Sequence, residues 1–178
     1  EFALTSRNLG LLAGGYFLGF AASQLPLGNW LDRHGPKKVL LGFLGIAVVG
    51  CVAFSLATSF SMLMLARVLC GVGVSACLMA PLTAYRRWLS SAAQLRANSW
   101  MLMTGSFGML ASTLPVQWLL PHFGWRPLFW GLAVLLALAM VLIWCCVPAW
   151  APAVTGPHIV DPDAPRPGYR DVWRHPYF

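Results

Sequence analysis

Arg67 lies inside an apolar stretch, Met62 to Tyr85, with the length and composition of a membrane-spanning helix. A charge at membrane depth is costly, from about 3 kcal/mol on insertion scales to about 10 or more in simulations. Residues that bear this cost usually face a water-filled cavity or a partner, so Arg67 is a candidate site residue and points toward transport. The alternative is a guanidinium that snorkels from the near end of its helix to the interface. A second group of interest is Gly28-Asn29-Trp30-Leu31-Asp32-Arg33-His34-Gly35-Pro36-Lys37-Lys38. Gly28 would let a neighbouring helix approach closely. Gly35 suits a left-handed stop to one helix, and Pro36 the first turn of the next. Asp32 is an acid in a basic setting, whose natural partner is a cation or a helix N-terminus. The plainer reading is a basic turn that only sets membrane orientation.

Other chemistry is absent from the pattern. His34, His122, His158 and His175 fall in loops or the tail and have no metal spacing. Cys51, Cys70, Cys77, Cys145 and Cys146 fall inside apolar segments and read as small buried hydrophobes. There is no nucleophile motif, phosphate loop or carboxylate pair. The expectation is therefore a protein that is not an enzyme and uses no cofactor or metal.

The elements that position these residues are five apolar runs: Asn8 to Leu31, Val39 to Ala57, Met62 to Tyr85, Trp100 to Leu120 and Pro127 to Val147. Each is long enough, at 1.5 Å per residue, to cross a hydrocarbon core of about 30 Å as a helix. None shows the alternation of a strand. Hydrophobic residues make up 58% of the chain and charged ones 10%, too few to build a solvated surface. The predicted fold class is an all-α membrane protein, a five-helix bundle over residues 1–147. A Pro-rich segment follows over 148–178, in which Gly168 to Arg174 could form an amphipathic turn at the membrane surface. Gly10/Gly14 and Gly15/Gly19 have the spacing of close helix contacts, and Pro26, Pro81 and Pro115 are candidate kinks. Most of the tryptophans fall near helix ends, as in an interfacial belt.

Net charge is +7, which in a soluble protein would suggest nucleic acid. Here nine of the 12 Lys and Arg fall in the first loop (Arg33, Lys37, Lys38), the third (Arg86, Arg87, Arg96) and the tail (Arg166, Arg170, Arg174). The second loop has none and the fourth only Arg126. The heavy loops are read as cytoplasmic and nucleic acid is excluded as a partner. That orientation places Glu1 to Arg7 outside, with no apolar segment to carry it there, so the reading predicts a fragment lacking an earlier helix.

The first loop resembles the signature G-x-L-x-D-R-x-G-x-[RK]-[RK] of the major facilitator superfamily, between that family's second and third helices. Gly28, Asp32, Arg33, Gly35, Lys37 and Lys38 match; Trp30 stands where the pattern has leucine. Arg67-Val68-Leu69-Cys70-Gly71-Val72-Gly73 resembles the family's fourth-helix pattern R-x-x-Q-G-x-G, with Cys70 for glutamine. Phe123 to Phe129 is similar to its turn into the sixth helix. The resemblance implies helices two to six of a twelve-helix transporter, with the tail as the central cytoplasmic loop. It implies a small-molecule solute moved by alternating access in a multi-pass cell membrane protein, as in a bacterial inner membrane, with membrane lipids around it and protons as a coupling ion. Asp32 and Arg33 would lock one conformation, and Arg67, with Gly71 and Gly73, would serve substrate or coupling. The family's helix-five antiporter signature, G-x-x-x-G-P-x-x-G-G, is unmatched by Gly105 to Pro115, which favours solute uptake over drug/proton antiport. An intramembrane Arg with no acid in any run leans toward an anionic solute. Drug antiport and a non-transporting membrane protein on the same fold are the alternatives.

Overall fold

Two glycines and a proline decide where the first helices stop and start. The structure, a computed structural model, describes residues 5–148. Among the described residues every regular element is helical. Helix α1 (Ser6–His34) opens on Thr5, whose hydroxyl oxygen accepts from the Asn8 N–H. It runs past Leu31, so Asp32, Arg33 and His34 are helical and not loop residues. Gly35 stops it at φ 78 and ψ 160, with its N–H on the Leu31 carbonyl at 2.9 Å. The positive φ was expected; the ψ lies outside the left-handed helical well, in a region open essentially to glycine only. Pro36 then begins α2 (Pro36–Leu56) at once, and the connection is one residue long.

Ser59 caps α3 (Phe60–Val74), accepting from the Met62 N–H at 3.2 Å. Ser75, at φ −61 and ψ −30, carries α3 into α4 (Ala76–Trp88), so the pair forms one 29-residue rod. Helix α5 (Ser91–Phe123) contains Arg96, which the loop count had placed outside a helix. Gly124, at φ 76, separates it from α6 (Trp125–Cys146). The bundle therefore has five rods, as expected.

Only three rods, Pro36–Leu56, Phe60–Trp88 and Trp125–Cys146, are both long and apolar enough to span by length and composition. Helices α1 and α5, at 29 and 33 residues, are long enough but more polar than the run lengths suggested. In α5 the hydroxyls turn back onto their own helix. Ser99 donates to the Leu95 carbonyl at 3.0 Å, Thr104 to Trp100 at 2.8 Å and Thr113 to Met109 at 2.8 Å. A hydroxyl satisfied in this way is tolerated in lipid.

Helix α3 is the centre of the packing, lying between α1 and α2, while α6 covers another face of α2. Lipid is as apolar as Leu, so helix association depends on close packing. A Cβ on Gly15 would meet the Met64 sulfur, and one on Gly19 the Val68 carbonyl group. One on Gly71 would strike the Tyr16 carbonyl, one on Gly73 the Ala47 backbone, and one on Gly50 the Cys70 nitrogen at 2.8 Å. The Gly15/Gly19 expectation thus holds. Gly10, Gly14 and Gly28 differ: among the described residues nothing lies within 4 Å of a Cβ placed there. Their faces turn away from the α1–α3 seam. Helix α6 exposes Val134, Leu135, Leu138, Val141 and Leu142, as a lipid-facing helix should. The tail over 149–178, including the amphipathic turn expected at 168–174, lies outside the described residues, as does the segment before residue 5.

Gly71→Ala should lower stability by about 1–3 kcal/mol, because the new methyl meets a backbone that cannot swing away. Gly42→Ala, with open space around it, should be neutral or stabilising by up to about 1 kcal/mol through helix propensity. Thermal unfolding of the two variants in detergent checks the contrast.

Candidate functional site

Arg67 follows the start of α3 by two turns, about 10 Å along the rod. Its guanidinium carbon stands 4.8 Å from the Phe54 ring centre and 5.4 Å from that of Phe129. The two rings are 4.1 Å apart, and Trp125 meets Phe54 edge-on at 5.5 Å. A planar guanidinium stacks on such faces where an ammonium would not. The side chain is thus held against a mutually stacked pair of rings, one from the last turn of α2 and one from the second turn of α6. Its Nε is buried and has no hydrogen-bond partner among the described residues.

Arg67 faces a cavity of about 830 Å³ between α1, α3, α5 and α6. Leu12, Tyr16, Phe54, Trp125 and Phe129 are among its lining residues. The wall is apolar and aromatic, and Arg67 is its one charge. Asp32 is the single acidic residue among the described residues, and it is exposed in the last turn of α1. Among the described residues, therefore, nothing acidic reaches Arg67. Gly71 and Gly73, grouped with Arg67 from the sequence, do not line the cavity. They are pressed against α1 and α2 backbone, and their role here is contact.

The basic turn divides into two parts. Lys37 Nζ donates to the Trp144 carbonyl at 2.8 Å and the Val147 carbonyl at 2.5 Å, and lies 5.4 Å from the Trp144 ring centre. A cation at the start of α2 thereby caps the C-terminus of α6, where the helix dipole is negative. Asp32, Arg33, His34 and Lys38 are exposed. Asp32 sits at the end of its own helix, where an acid is disfavoured.

A residue that the sequence reading took only as a loop charge completes the pattern. Arg126, at the start of α6, donates to the Ala57 carbonyl at the end of α2, at 3.2 Å, and covers the Trp125 ring at 5.1 Å. Each antiparallel helix of the α2–α6 pair thus carries a cation that holds the other's C-terminus. The signal was present as Gly35-Pro36-Lys37 and Gly124-Trp125-Arg126: a positive-φ glycine and, two residues on, a cation.

The cysteines are not uniformly buried. Cys51 and Cys70 are, with sulfurs 3.9 Å apart, whereas Cys77, Cys145 and Cys146 are exposed. Among the described residues no three His, Cys, Asp or Glu side chains cluster to hold a metal.

The family model for the Major Facilitator Superfamily matches residues 1–178. The chain belongs to the major facilitator superfamily. It is 32% identical over 142 residues to a uridine/deoxyuridine transporter of Lactococcus lactis, covering 78% of this chain and 29% of that protein. It is 33% identical over 133 residues to a probable sulfoacetate transporter, SauU, of Cupriavidus necator, covering 72% and 30%. To the multidrug resistance protein MdtL of Shigella flexneri it is 28% identical over 122 residues, covering 67% and 31%. The chain spans less than a third of the length of these relatives. Major facilitator halves are built from two three-helix repeats. With the rods as helices two to six, α2 and α6 close the two repeats, and the twin glycine-cation turns occupy equivalent places.

Lys37→Met and Arg126→Met should each cost about 1–2 kcal/mol, the worth of a charge-assisted bond at a helix C-terminus. The two clamps sit at opposite ends of α2, so their costs should add in the double variant. Unfolding midpoints of the three proteins measure this; strong non-additivity would mean the clamps are not independent.

Proposed function

We propose that this chain is part of a secondary active transporter that moves a small organic anion by alternating access, with Arg67 as the cationic contact. The observation that carries the reading is a half-buried Arg packed against two aromatic rings, its buried Nε unpartnered, facing a roomy cavity with no acid among its described lining residues. A cationic solute would be repelled there, and a neutral one would leave the guanidinium unpaired. The probable sulfoacetate transporter among the relatives handles an anion of this kind. Protons are the proposed coupling ion, drawn from the superfamily and not from a carboxylate among the described residues. Asp32 and Arg33 are proposed to act in the conformational cycle. The destabilising position of Asp32 on its own helix is what a contact beyond α1 would explain. The membrane is proposed to be a bacterial inner membrane, with the Gly35 end cytoplasmic and the Gly124 end outside.

One observation favours a second reading. The aromatic lining from Phe17, Phe54, Trp125 and Phe129 would also suit apolar drugs, and a multidrug resistance protein is among the relatives.

Reconstitution of the complete gene product in vesicles separates the two. With an inward proton gradient, uptake of organosulfonate or carboxylate anions should exceed that of a nucleoside or a cationic dye. Arg67→Gln should cut anion uptake at least about a hundredfold, the scale of one lost buried charge-assisted bond, and Arg67→Lys less. Efflux of the dye with no anion uptake would replace this reading with drug antiport. Orientation has its own check: a membrane-impermeant maleimide should label His34→Cys only after the cells are permeabilised. Labelling of intact cells would invert the topology.

A further inference from the structure

We infer that the cleft between α4 and α6 at the Gly35 end holds one anionic diacyl phospholipid. Helix α2 packs against both α4 and α6, whose backbones stay apart from each other. A cleft of about 410 Å³ is left over the first turns of α2. Leu40 and the small side chains of Ala80 and Ala84 form its apolar interior, and Ile143 borders it from α6. This is a shape for hydrocarbon, because small residues deepen it without offering a polar atom. The rim is different. Lys37 and Tyr85 line it, and Lys38 and Arg86 are the next residues along their helices, both exposed.

Charge decides the occupant. An ammonium has three donors. Lys37 spends two on the α6 carbonyls, which leaves one for a further acceptor. Lys37 lines the rim, the exposed Lys38 and Arg86 adjoin lining residues in sequence, and the one acid among the described residues, Asp32, lies on α1, which is not a wall of this cleft. A phosphodiester fits the cationic rim while its acyl chain fits the interior, and Tyr85 sits where aromatic side chains meet headgroups. A zwitterionic lipid would fill the interior equally well but gain little from the rim. The site rests on the proposed orientation only for which leaflet supplies the lipid.

The test uses the purified full-length protein in detergent, which does not depend on transport. Phosphatidylglycerol should raise the unfolding temperature and remain bound in native mass spectrometry at one copy, whereas phosphatidylcholine should not. Lys38→Gln with Arg86→Gln should weaken phosphatidylglycerol retention by about thirtyfold, given the usual worth of each cation near a lipid surface. Ala84→Trp should abolish retention by filling the interior; should that variant fail to fold, the charge pair still decides. A photo-reactive group at Leu89 should crosslink lipid. Equal retention of both lipids overturns the proposal, as does stabilisation by inorganic phosphate alone. Crosslinking of Leu89 to the chain's own residues 149–178 overturns it too, by naming the tail as occupant.

Discussion

Backbone-to-backbone contact of α3 with its two neighbours is the constraint on which the rest depends. Along α1, Gly15 and Gly19 meet Met64 and Val68, a constant register of two parallel helices. Along α2, Gly50 meets Cys70 and Ala47 meets Gly73, the register of an antiparallel pair. In a bilayer no water is expelled when such surfaces join, so dispersion between closely fitted atoms must do most of the holding. Glycine permits that fit. One consequence is that α3 has little freedom to rotate or slide. Arg67 stands one turn before Gly71, so the seam that fixes Gly71 against Tyr16 also aims the guanidinium.

The other wall of the site is positioned by a separate device. Phe129 belongs to α6, whose backbone packs against α2 while its rings reach α3 directly. The two cation clamps hold α2 and α6 in register at both ends, Lys37 on the Trp144 and Val147 carbonyls and Arg126 on the Ala57 carbonyl. Each satisfies carbonyls that a helix end leaves open, in a setting where water is scarce. Ala57, the C-cap of α2, and Arg126 lie one turn from Phe54 and Phe129 along the chain, so the clamp at that end also helps bring together the two rings that support Arg67. Closing the repeats in this way ties the site's aromatic walls to the turns as well as to the core cluster around Leu12, Leu63 and Ala66.

The sequence disclosed what depends on composition and concealed what depends on register. Five rods, the glycine stop at Gly35 and the importance of Arg67 were legible because apolar length and a lone charge are local signals. The end of α1 was misread by three residues because Asp32, Arg33 and His34 are polar, and polarity does not distinguish a last helical turn from a loop. Gly28 and Gly71 carry the same chemistry in the sequence, yet one faces open space and the other a carbonyl. Only the rotation of a helix about its axis separates them, and that is set by the partner. Arg126 was read only as a loop charge for the same reason: its acceptor is 69 residues away. The polarity of α5 was underestimated in counting spans, because a run length does not register hydroxyls spaced through it. Their bonds to the previous turn explain how such a helix suits lipid.

The energetics of Arg67 follow from its surroundings. Two aromatic faces offer a desolvated cation about 2 kcal/mol each at best. Burying an unpaired charge costs more than this, and an unsatisfied donor adds about 1–3 kcal/mol. The rings hold the guanidinium in one orientation without neutralising it, so a deficit remains. A counter-ion entering the cavity would remove that deficit, and it would do so only on the side of the bundle where the cavity opens. Among the described residues no acid offers Arg67 an internal partner.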